Sequence, residues 1–349
     1  MRLMMLTADY PPHAWSGVAA AVESQARALT EAGAEVHVVL GSPRGAAVSA
    51  GFWPRVHRLD PSCFPIDPRG FDRVHLHSLS LAGLGFELRR RFGLPVTYTA
   101  HSLLSRELDP TLEGIGWIKL QREVMRASDR VVFLSESERL AASRTLPEVA
   151  SRAIVIGNAL PPPPPATPRQ HRSGPIVFAG RFTANKGIEL LCELLPRLIR
   201  RLSIPAVLAG GHGDTNGGAL IRKLEGSLGG ECRVAGWLPR PSLRTLLRGA
   251  CVVLVPSIYE PFGLIALEAM RLGTPVVASR IGGLAEIVTP ESGGRLAGAH
   301  DVSEWNERTS EILTSPRAWS NLHRSGPLYV GQRFSLRGVA RRLLQEAYV

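Results

Sequence analysis

Two glutamates, Glu260 and Glu268, lie eight residues apart, and their carboxylates are the first candidates for ligand binding. They lie just before and within a helix that the sequence predicts from about residue 262 to 272, after a buried strand. If both were helical, they would lie near one face with about 12 Å of rise between their backbones. Two carboxylates so placed could hold both ends of one elongated polar ligand. Acidic residues near a helix start are also stabilising without function, which leaves Glu260 open, whereas Glu268 among apolar neighbours needs a partner.

The amides of Phe262, Gly263 and Leu264 form a second chemical feature at the start of this helix. Pro261 fits the first helical position, where its missing N–H costs nothing. The amides that follow it would point out of the helix end, and such an end favours an anion, especially a phosphate. Glycine at position 263 lets a ligand approach the backbone closely.

Short apolar strands alternate with helical segments along the chain, which predicts the α/β class with buried parallel strands. The pattern begins at residue 2, ends near residue 156 and starts again at residue 175, so two doubly wound domains are expected. Five prolines, Pro161–Pro165, form a stiff linker between the two halves. Such halves make a deep cleft, a usual place for ligands. The predicted organisation is an N-terminal domain over 1–157, a Pro-rich linker over 158–168, a C-terminal domain over 169–332 and a last helix over 333–349 that packs back on the N-terminal domain.

The segment Pro256–Ala269 resembles the E-x7-E motif of the retaining glycosyltransferases of family four, also called glycosyl transferases group 1. The flanking Gly-Thr-Pro-Val-Val-Ala-Ser at Gly273–Ser279 strengthens the resemblance, which covers nearly the whole chain. It implies the GT-B fold, in which two Rossmann-like doubly wound domains face each other across a cleft. It also implies that Glu260 contacts the hydroxyls of the donor sugar and Glu268 those of the nucleotide ribose. The amides of residues 262–264 would hold the sugar and the diphosphate.

A loop between a strand and a helix, Gly180–Gly187, resembles the G-R-x4-K-G motif of the same family. By that resemblance, Arg181 and Lys186 clamp the donor diphosphate. Two fixed cations would stabilise the negative charge that the leaving group gains as the glycosidic bond breaks. They would do the work of a metal ion, and no metal-binding Asp-x-Asp occurs. No cofactor is expected beyond the nucleotide-diphosphate sugar itself as co-substrate.

Three further positions carry weaker matches to the family. His101, after the strand that begins at Val96, resembles a histidine that faces the donor sugar, and Gly17 resembles a glycine close to the diphosphate. The family usually has a second glycine before Gly17, where this chain has Ser16, a change that could narrow the acceptor pocket. Leu238 ends a segment whose backbone reads the nucleobase.

The charge and cysteine patterns restrict the partners. Residues 1–157 hold 18 Lys and Arg against 16 Asp and Glu, a net of +2, so +9 of the total +11 follows them. No block of five like charges occurs, which disfavours nucleic acid, and the positive second half suits a polyphosphate ligand. Peripheral membrane contact is not favoured. No stretch of 18 apolar residues and no paired cysteine spacing occurs, so a cytoplasmic protein with reduced thiols is expected.

The predicted function is therefore retaining transfer of a hexose-type sugar from a nucleotide-diphosphate sugar, with a UDP-sugar favoured, to an acceptor hydroxyl. Two alternatives stay open at this stage. One is a GT-B nucleotide-sugar epimerase or hydrolase, and the other is a non-catalytic protein that binds sugar nucleotides. Transfer of sugar to an added acceptor separates the prediction from both.

Overall fold

The computed structural model describes residues 1–11, 16–41, 54–59, 65–107, 111–165, 174–211 and 215–349, with only the backbone described at Leu112 and Thr215. The described chain forms two compact units. Unit 1 comprises Met1–Pro161 together with Phe334–Val349, and unit 2 comprises Pro162–Arg333.

Unit 1 is built on a parallel sheet whose seven described strands lie in the order β3-β2-β1-β4-β5-β6-β7. Its strands are Arg2–Thr7 (β1), Glu35–Leu40 (β2), Arg55–Arg58 (β3), Arg73–Leu76 (β4), Val96–Ala100 (β5), Arg130–Phe133 (β6) and Ala153–Val155 (β7). Its helices up to residue 145 are Gly17–Glu31 (α1), Ala82–Phe92 (α2), Leu104–Glu107 (α3), Leu112–Ala127 (α4) and Glu136–Thr145 (α5). Every residue of β4 and β5 is buried, as expected where helices cover both faces of a parallel sheet.

Unit 2 repeats this architecture with a parallel sheet whose six described strands lie in the order β10-β9-β8-β11-β12-β13. Its strands are Ile176–Arg181 (β8), Ala206–Gly211 (β9), Cys232–Gly236 (β10), Val252–Val255 (β11), Val276–Ser279 (β12) and Gly294–Ala297 (β13). Its helices are Ile188–Leu202 (α6), Thr215–Leu228 (α7), Arg240–Gly249 (α8), Leu264–Arg271 (α9), Gly282–Ile287 (α10), Val302–Thr314 (α11) and Pro316–Arg333 (α12).

The C-terminal segment returns to unit 1. Helix α13, Leu336–Arg342, continues as a wider π turn over Leu343–Ala347, and its apolar side chains join the core that α1 also covers. The sequence predicted one regular helix to Tyr348, but Tyr348 lies beyond the π turn, and its hydroxyl is 2.6 Å from Nδ1 of His75.

The carboxyl ends of β1 and β4 lie side by side in unit 1, at the point where the strand order reverses. Those of β8 and β11 do the same in unit 2. In open parallel sheets such switch points open a crevice in which ligands bind. Among the residues that the structure describes, no helix has the length and apolar character needed to cross a membrane.

Candidate active site

Two loops at the switch point of unit 2 carry most of the predicted donor site. The first follows β8, whose last residue is the exposed Arg181, and contains Lys186 at the end of a single 3₁₀ turn. The second follows β11 and runs from Pro256 to Gly263. The backbone carbonyl of Asn185 joins them, because it accepts hydrogen bonds from the amides of Ile258, at 2.8 Å, and Tyr259, at 3.3 Å.

Glu260 and Lys186 form the ionic centre of this switch point. Nζ of Lys186 lies 2.8 Å from Oε2 of Glu260, and their side chains are 19% and 14% exposed. The hydroxyl of the buried Ser257 donates to the same carboxylate oxygen at 3.2 Å. Both contacts reach Oε2, so Oε1 can accept hydrogen bonds from a ligand. A carboxylate held this way by an ammonium and a hydroxyl keeps a fixed orientation.

The helix start at this site differs from the sequence prediction. Helix α9 begins at Leu264, so Pro261 does not occupy its first position, whereas Glu260 precedes the helix as predicted. The cause is Gly263, whose φ of +101° is not helical and is favourable only for glycine. A Cβ on Gly263 would lie 2.6 Å from Cδ2 of Leu284, so the position also requires close packing against α10.

The predicted amide cluster is therefore spread over the helix start. Gly263 occupies the N-cap position, Leu264 is the first helical residue, and Phe262 precedes both with its side chain buried. The first amides of a helix have no intrahelical acceptor and favour an anion. The amide of Gly283, at the start of α10, donates to the carbonyl of Glu260 at 3.0 Å, which fixes the segment before α9.

Glu268 lies on α9 and faces a group of arginines. Its Oε1 is 3.7 Å from Nη2 of Arg240, at the start of α8, and its side chain is 24% exposed. Burial raises the pKa of Glu268, against the opposing charges of Arg240, Arg271 and Arg244. Glu268 therefore has the charged partner that a carboxylate among apolar residues needs. Arg240 forms the ion pair, and the charges of Arg271 and Arg244 add to it.

Leu238, predicted to lie beside the nucleobase, is half-buried in the short loop that joins β10 to α8. Its neighbour Trp237 is 47% exposed. A Cβ on Gly211, at the end of β9, would lie 3.2 Å from two atoms of the Trp237 indole. Apart from Glu268, which lies on α9, the predicted donor residues of unit 2 therefore lie at or after the carboxyl ends of β8, β10 and β11.

Unit 1 contains two predicted site residues: Gly17, at the start of α1, and His101, directly after β5. Gly17 is the first residue of α1, where the Ser16 hydroxyl accepts the amide of Ala19 at 3.0 Å and donates to Asp9 at 2.9 Å. Ser16 therefore acts as the helix cap. His101 follows β5, and its Nε2 is 3.1 Å from Nδ1 of His77, which follows β4. The loop residues 12–15 beside Gly17 lie outside the described part of the chain.

The loop that carries His101 is held by two buried side chains that sequence reasoning did not select. One oxygen of Glu138 accepts the amide of Leu103 at 3.0 Å, and the other pairs with Arg106 at 2.7 Å. Gln121 donates to the carbonyl of Ser102 at 2.7 Å. Glu138 stands in the first turn of α5, where its position looks like ordinary helix capping, so no local signal marks it.

Sequence reasoning also missed three groups that hold the candidate site of unit 2 in place: Ser257, the carbonyl of Asn185 and the arginines around Glu268. The excess of positive charge after residue 157 was the only signal for those arginines. Within the described residues, no group of three or more His, Cys, Asp or Glu side chains is arranged to hold a metal ion.

Two family models match the chain. Glycosyltransferase Family 4 matches residues 15–162, and Glycosyl transferases group 1 matches residues 165–327. D-inositol 3-phosphate glycosyltransferase of Saccharomonospora viridis is 30% identical over 310 residues, which cover 80% of this chain and 70% of that protein. Alpha-maltose-1-phosphate synthase of Mycolicibacterium smegmatis is 28% identical and covers 90% of this chain and 89% of that protein.

Solved structures share the fold. Sucrose-phosphate synthase from Thermosynechococcus elongatus has a TM-score of 0.78 at 24% identity, covering 99% of this chain and 97% of that one. Anabaena HepE in complex with UDP-glucose has a TM-score of 0.74 at 17% identity, covering 99% and 98%. Two Rossmann-like units of this kind define the GT-B fold, which confirms the predicted fold class. The chain belongs to glycosyltransferase family 4, and it is a glycosyltransferase.

Proposed function

We propose that this glycosyltransferase moves a hexose-type sugar from a nucleotide-diphosphate sugar to an acceptor hydroxyl, with retention of the anomeric configuration and without a metal ion. The observation that carries the proposal is the Lys186–Glu260 pair, set 2.8 Å apart beside the start of α9. A cation for a phosphate, a carboxylate for sugar hydroxyls and the amides of a helix start are the groups that a sugar diphosphate requires.

Each group of unit 2 has a proposed role toward the donor. Lys186 and Arg181 bind the diphosphate and stabilise the charge that it gains when the glycosidic bond breaks. Glu260 accepts hydrogen bonds from the sugar hydroxyls through Oε1. The amides at Phe262, Gly263 and Leu264 hold the sugar and the diphosphate.

The nucleoside end of the donor is assigned to the remaining residues of unit 2. Glu268 accepts hydrogen bonds from the ribose hydroxyls, which requires it to be ionised when the nucleotide binds. The backbone of Leu238 contacts the nucleobase. Anabaena HepE is described in complex with UDP-glucose, and starch synthase IV of Arabidopsis thaliana with ADP and acarbose. We favour a UDP-sugar and expect the test to decide between these bases.

Unit 1 supplies the acceptor-binding residues together with His101 and Gly17. His101 orients the transferred sugar, and the backbone at Gly17 allows close approach of the diphosphate. The acceptor hydroxyl attacks from the face that the leaving group occupies, and an oxygen of the departing phosphate takes its proton. This route needs no dedicated side-chain base.

The experiment that tests the proposal is sugar transfer by the purified chain in EDTA. The protein is incubated with UDP-, GDP-, dTDP- or ADP-glucose and a set of alcohols and sugars as acceptors, and products are read by mass spectrometry and proton NMR. The proposal expects one donor to give a glycoside of the donor's anomeric configuration. Free sugar alone would identify a hydrolase, an isomerised donor would identify an epimerase, and an inverted glycoside would contradict the retaining mechanism.

A further inference from the structure

His77 and His101 form a direct contact at the carboxyl ends of β4 and β5. Nδ1 of His77 lies 3.1 Å from Nε2 of His101, and the ring centroids are 5.3 Å apart. His77 is 4% exposed. The second ring nitrogen of His77, Nε2, is buried and has no hydrogen-bond partner among the residues that the structure describes.

Both imidazoles are neutral at pH 7. Burial, together with the charges of His75 and His101, lowers the pKa of His77 well below its usual value. Burial also lowers the pKa of His101 to about 4. Each neutral ring carries one N–H donor and one acceptor nitrogen, so a single proton lies between the two rings.

The buried Nε2 of His77 decides which ring carries that proton. If His77 were protonated on Nε2, a buried N–H would have no acceptor, and genuinely orphaned buried N–H groups are rarer than orphaned acceptors. If His77 is protonated on Nδ1, its N–H is satisfied by His101 and only a lone pair remains without a partner. The second arrangement forces His101 to carry its own proton on Nδ1.

We infer that His77 is a positioning residue that donates from Nδ1 to Nε2 of His101, and that this contact fixes His101 as the Nδ1–H tautomer. His101 then presents an N–H donor to an oxygen of the sugar and stays uncharged. An uncharged donor suits a sugar that gains positive charge as its bond to the leaving group breaks, because an imidazolium would repel it. The role toward the sugar rests on the proposed function, whereas the tautomer does not.

The rest of unit 1 holds His77 in place. The His75 ring lies 4.1 Å from the His77 ring, centroid to centroid. Both nitrogens of His75 are occupied, one by the hydroxyl of Tyr348 at 2.6 Å and the other by the hydroxyl of Thr99 at 2.7 Å. The hydrogen-bonded His75 ring therefore packs against one side of the His77 ring.

Three substitutions at one position test the positioning role. The side-chain nitrogen of asparagine can occupy the place of Nδ1, whereas that of glutamine reaches the place of Nε2, and leucine offers no donor. His77→Asn should retain kcat, and His77→Gln and His77→Leu should each lose about tenfold, the effect of one hydrogen bond, with the donor KM unchanged. Equal losses in all three variants, at matched melting temperatures, would overturn the inference.

A spectrum of the free protein tests the tautomer without any reaction. Long-range ¹H–¹⁵N correlation of protein labelled at its 10 histidines reports which nitrogen of each ring is protonated, and a His101→Gln variant identifies the His101 signals. We expect His101 to be protonated on Nδ1 in the wild type and this tautomer to be lost in His77→Leu. A proton on Nε2 of His101 in the wild type overturns the inference. If the tautomer is found but no sugar is transferred, the proposed function fails and the tautomer assignment stands.

Discussion

Lys186 and Glu260, 74 residues apart in sequence, are joined by a 2.8 Å ion pair between the loops that follow two neighbouring strands. The pair exists because β8 and β11 are hydrogen-bonded neighbours, so the loops at their carboxyl ends meet. Each charge keeps the other oriented in a partly buried position. A ligand that binds there meets a cation and a carboxylate already in place, which reduces the cost of ordering them.

The first prediction concerns the coupling of this pair. Glu260→Gln and Lys186→Met should each lower kcat/KM for transfer by about 10²-fold, the usual effect of losing one electrostatic group in an active site. The double variant should lose less than the product of the two single losses, because the residues act as a unit. Steady-state kinetics of the four proteins give this result directly. Glu193→Gln removes an exposed ion pair with Arg197 on α6 and should leave the rates unchanged.

The second prediction concerns the close packing of the two site loops. Gly187 has a φ of +74°, and a Cβ there would lie 1.9 Å from the carbonyl oxygen of Pro256. An alanine in the left-handed conformation costs about 1–2 kcal/mol. Gly187→Ala should destabilise the protein by well over that amount, because the steric clash adds to it. Gly229 also has a positive φ, of +54°, but nothing lies within 4 Å of its added Cβ. Gly229→Ala is the matched control, and equal effects of both variants in chemical denaturation would refute the packing argument.

The third prediction concerns pH. Burial raises the pKa of Glu268 above its ordinary value of 4.5, although Arg240, Arg271 and Arg244 oppose the rise. A group with a raised pKa binds more protons in the folded state, so its contribution to stability is complete below pH 4.5 and is lost as pH rises through the folded pKa. Relative to Glu268→Gln, the wild type should lose free energy of unfolding over that range. Glu193→Gln is the control, and a Glu268→Gln difference that is flat with pH, or that grows in favour of the wild type, would contradict the assignment.

The fourth prediction concerns the loop that carries His101. Glu138 is 1% exposed and pairs with Arg106, so Glu138→Ala removes one acceptor from the Arg106 guanidinium and one from the Leu103 amide. Because Glu138 is buried but the Arg106 side chain is 39% exposed, removing the carboxylate should cost about 1–3 kcal/mol, the range for a lost buried hydrogen-bond partner. Glu136 stands on the same helix, pairs with Arg139 at the surface, and should cost under about 1 kcal/mol when changed to alanine. Urea unfolding of the two variants measures the difference, and similar losses would show that Glu138 does not hold the loop.

Much of the fold could be predicted from the sequence because buried parallel strands are short continuous apolar runs. The strands at Val96 and Val252 were located to within a residue in this way. The edge strand β3, Arg55–Arg58, was missed because its alternation of basic and other residues lacks that signal. Strand β13, Gly294–Ala297, was missed because it contains a glycine and an arginine among only four residues.

Candidate site residues could be selected from the sequence where they stand in local motifs. Those whose position depends on tertiary contacts could not. Glu260, Arg181 and Lys186 stand in motifs, so sequence alone selected them. The predicted start of α9 was wrong because two local preferences competed. Proline favours the first turn of a helix, but the positive φ of Gly263 ends the non-helical segment only after Pro261. The approach of Arg240 to Glu268 depends on the packing of α8 against α9, which no local pattern encodes.

The same limit applies to the histidines of unit 1. Sequence reasoning assigned no catalytic role to His75, on β4, or to His77, directly after it. The contact of His77 with His101 arises only because β4 pairs with β5. The contact of His75 with Tyr348 requires the chain's last residues to return to unit 1 after the whole of unit 2. Such pairings depend on topology, and periodicity cannot predict them.

The donor site in unit 2 is tested by calorimetric titration of UDP, GDP, dTDP and ADP into the protein in EDTA. We expect one diphosphate to bind, and we expect Arg181→Ala and Glu268→Ala each to weaken its binding at least about tenfold while Glu193→Gln does not. At 100 times its Kd, that diphosphate should also stabilise the fold by about 2.7 kcal/mol. Binding that these substitutions do not alter would contradict the site in unit 2, and no binding of any diphosphate without metal would contradict the proposed metal-independent donor chemistry.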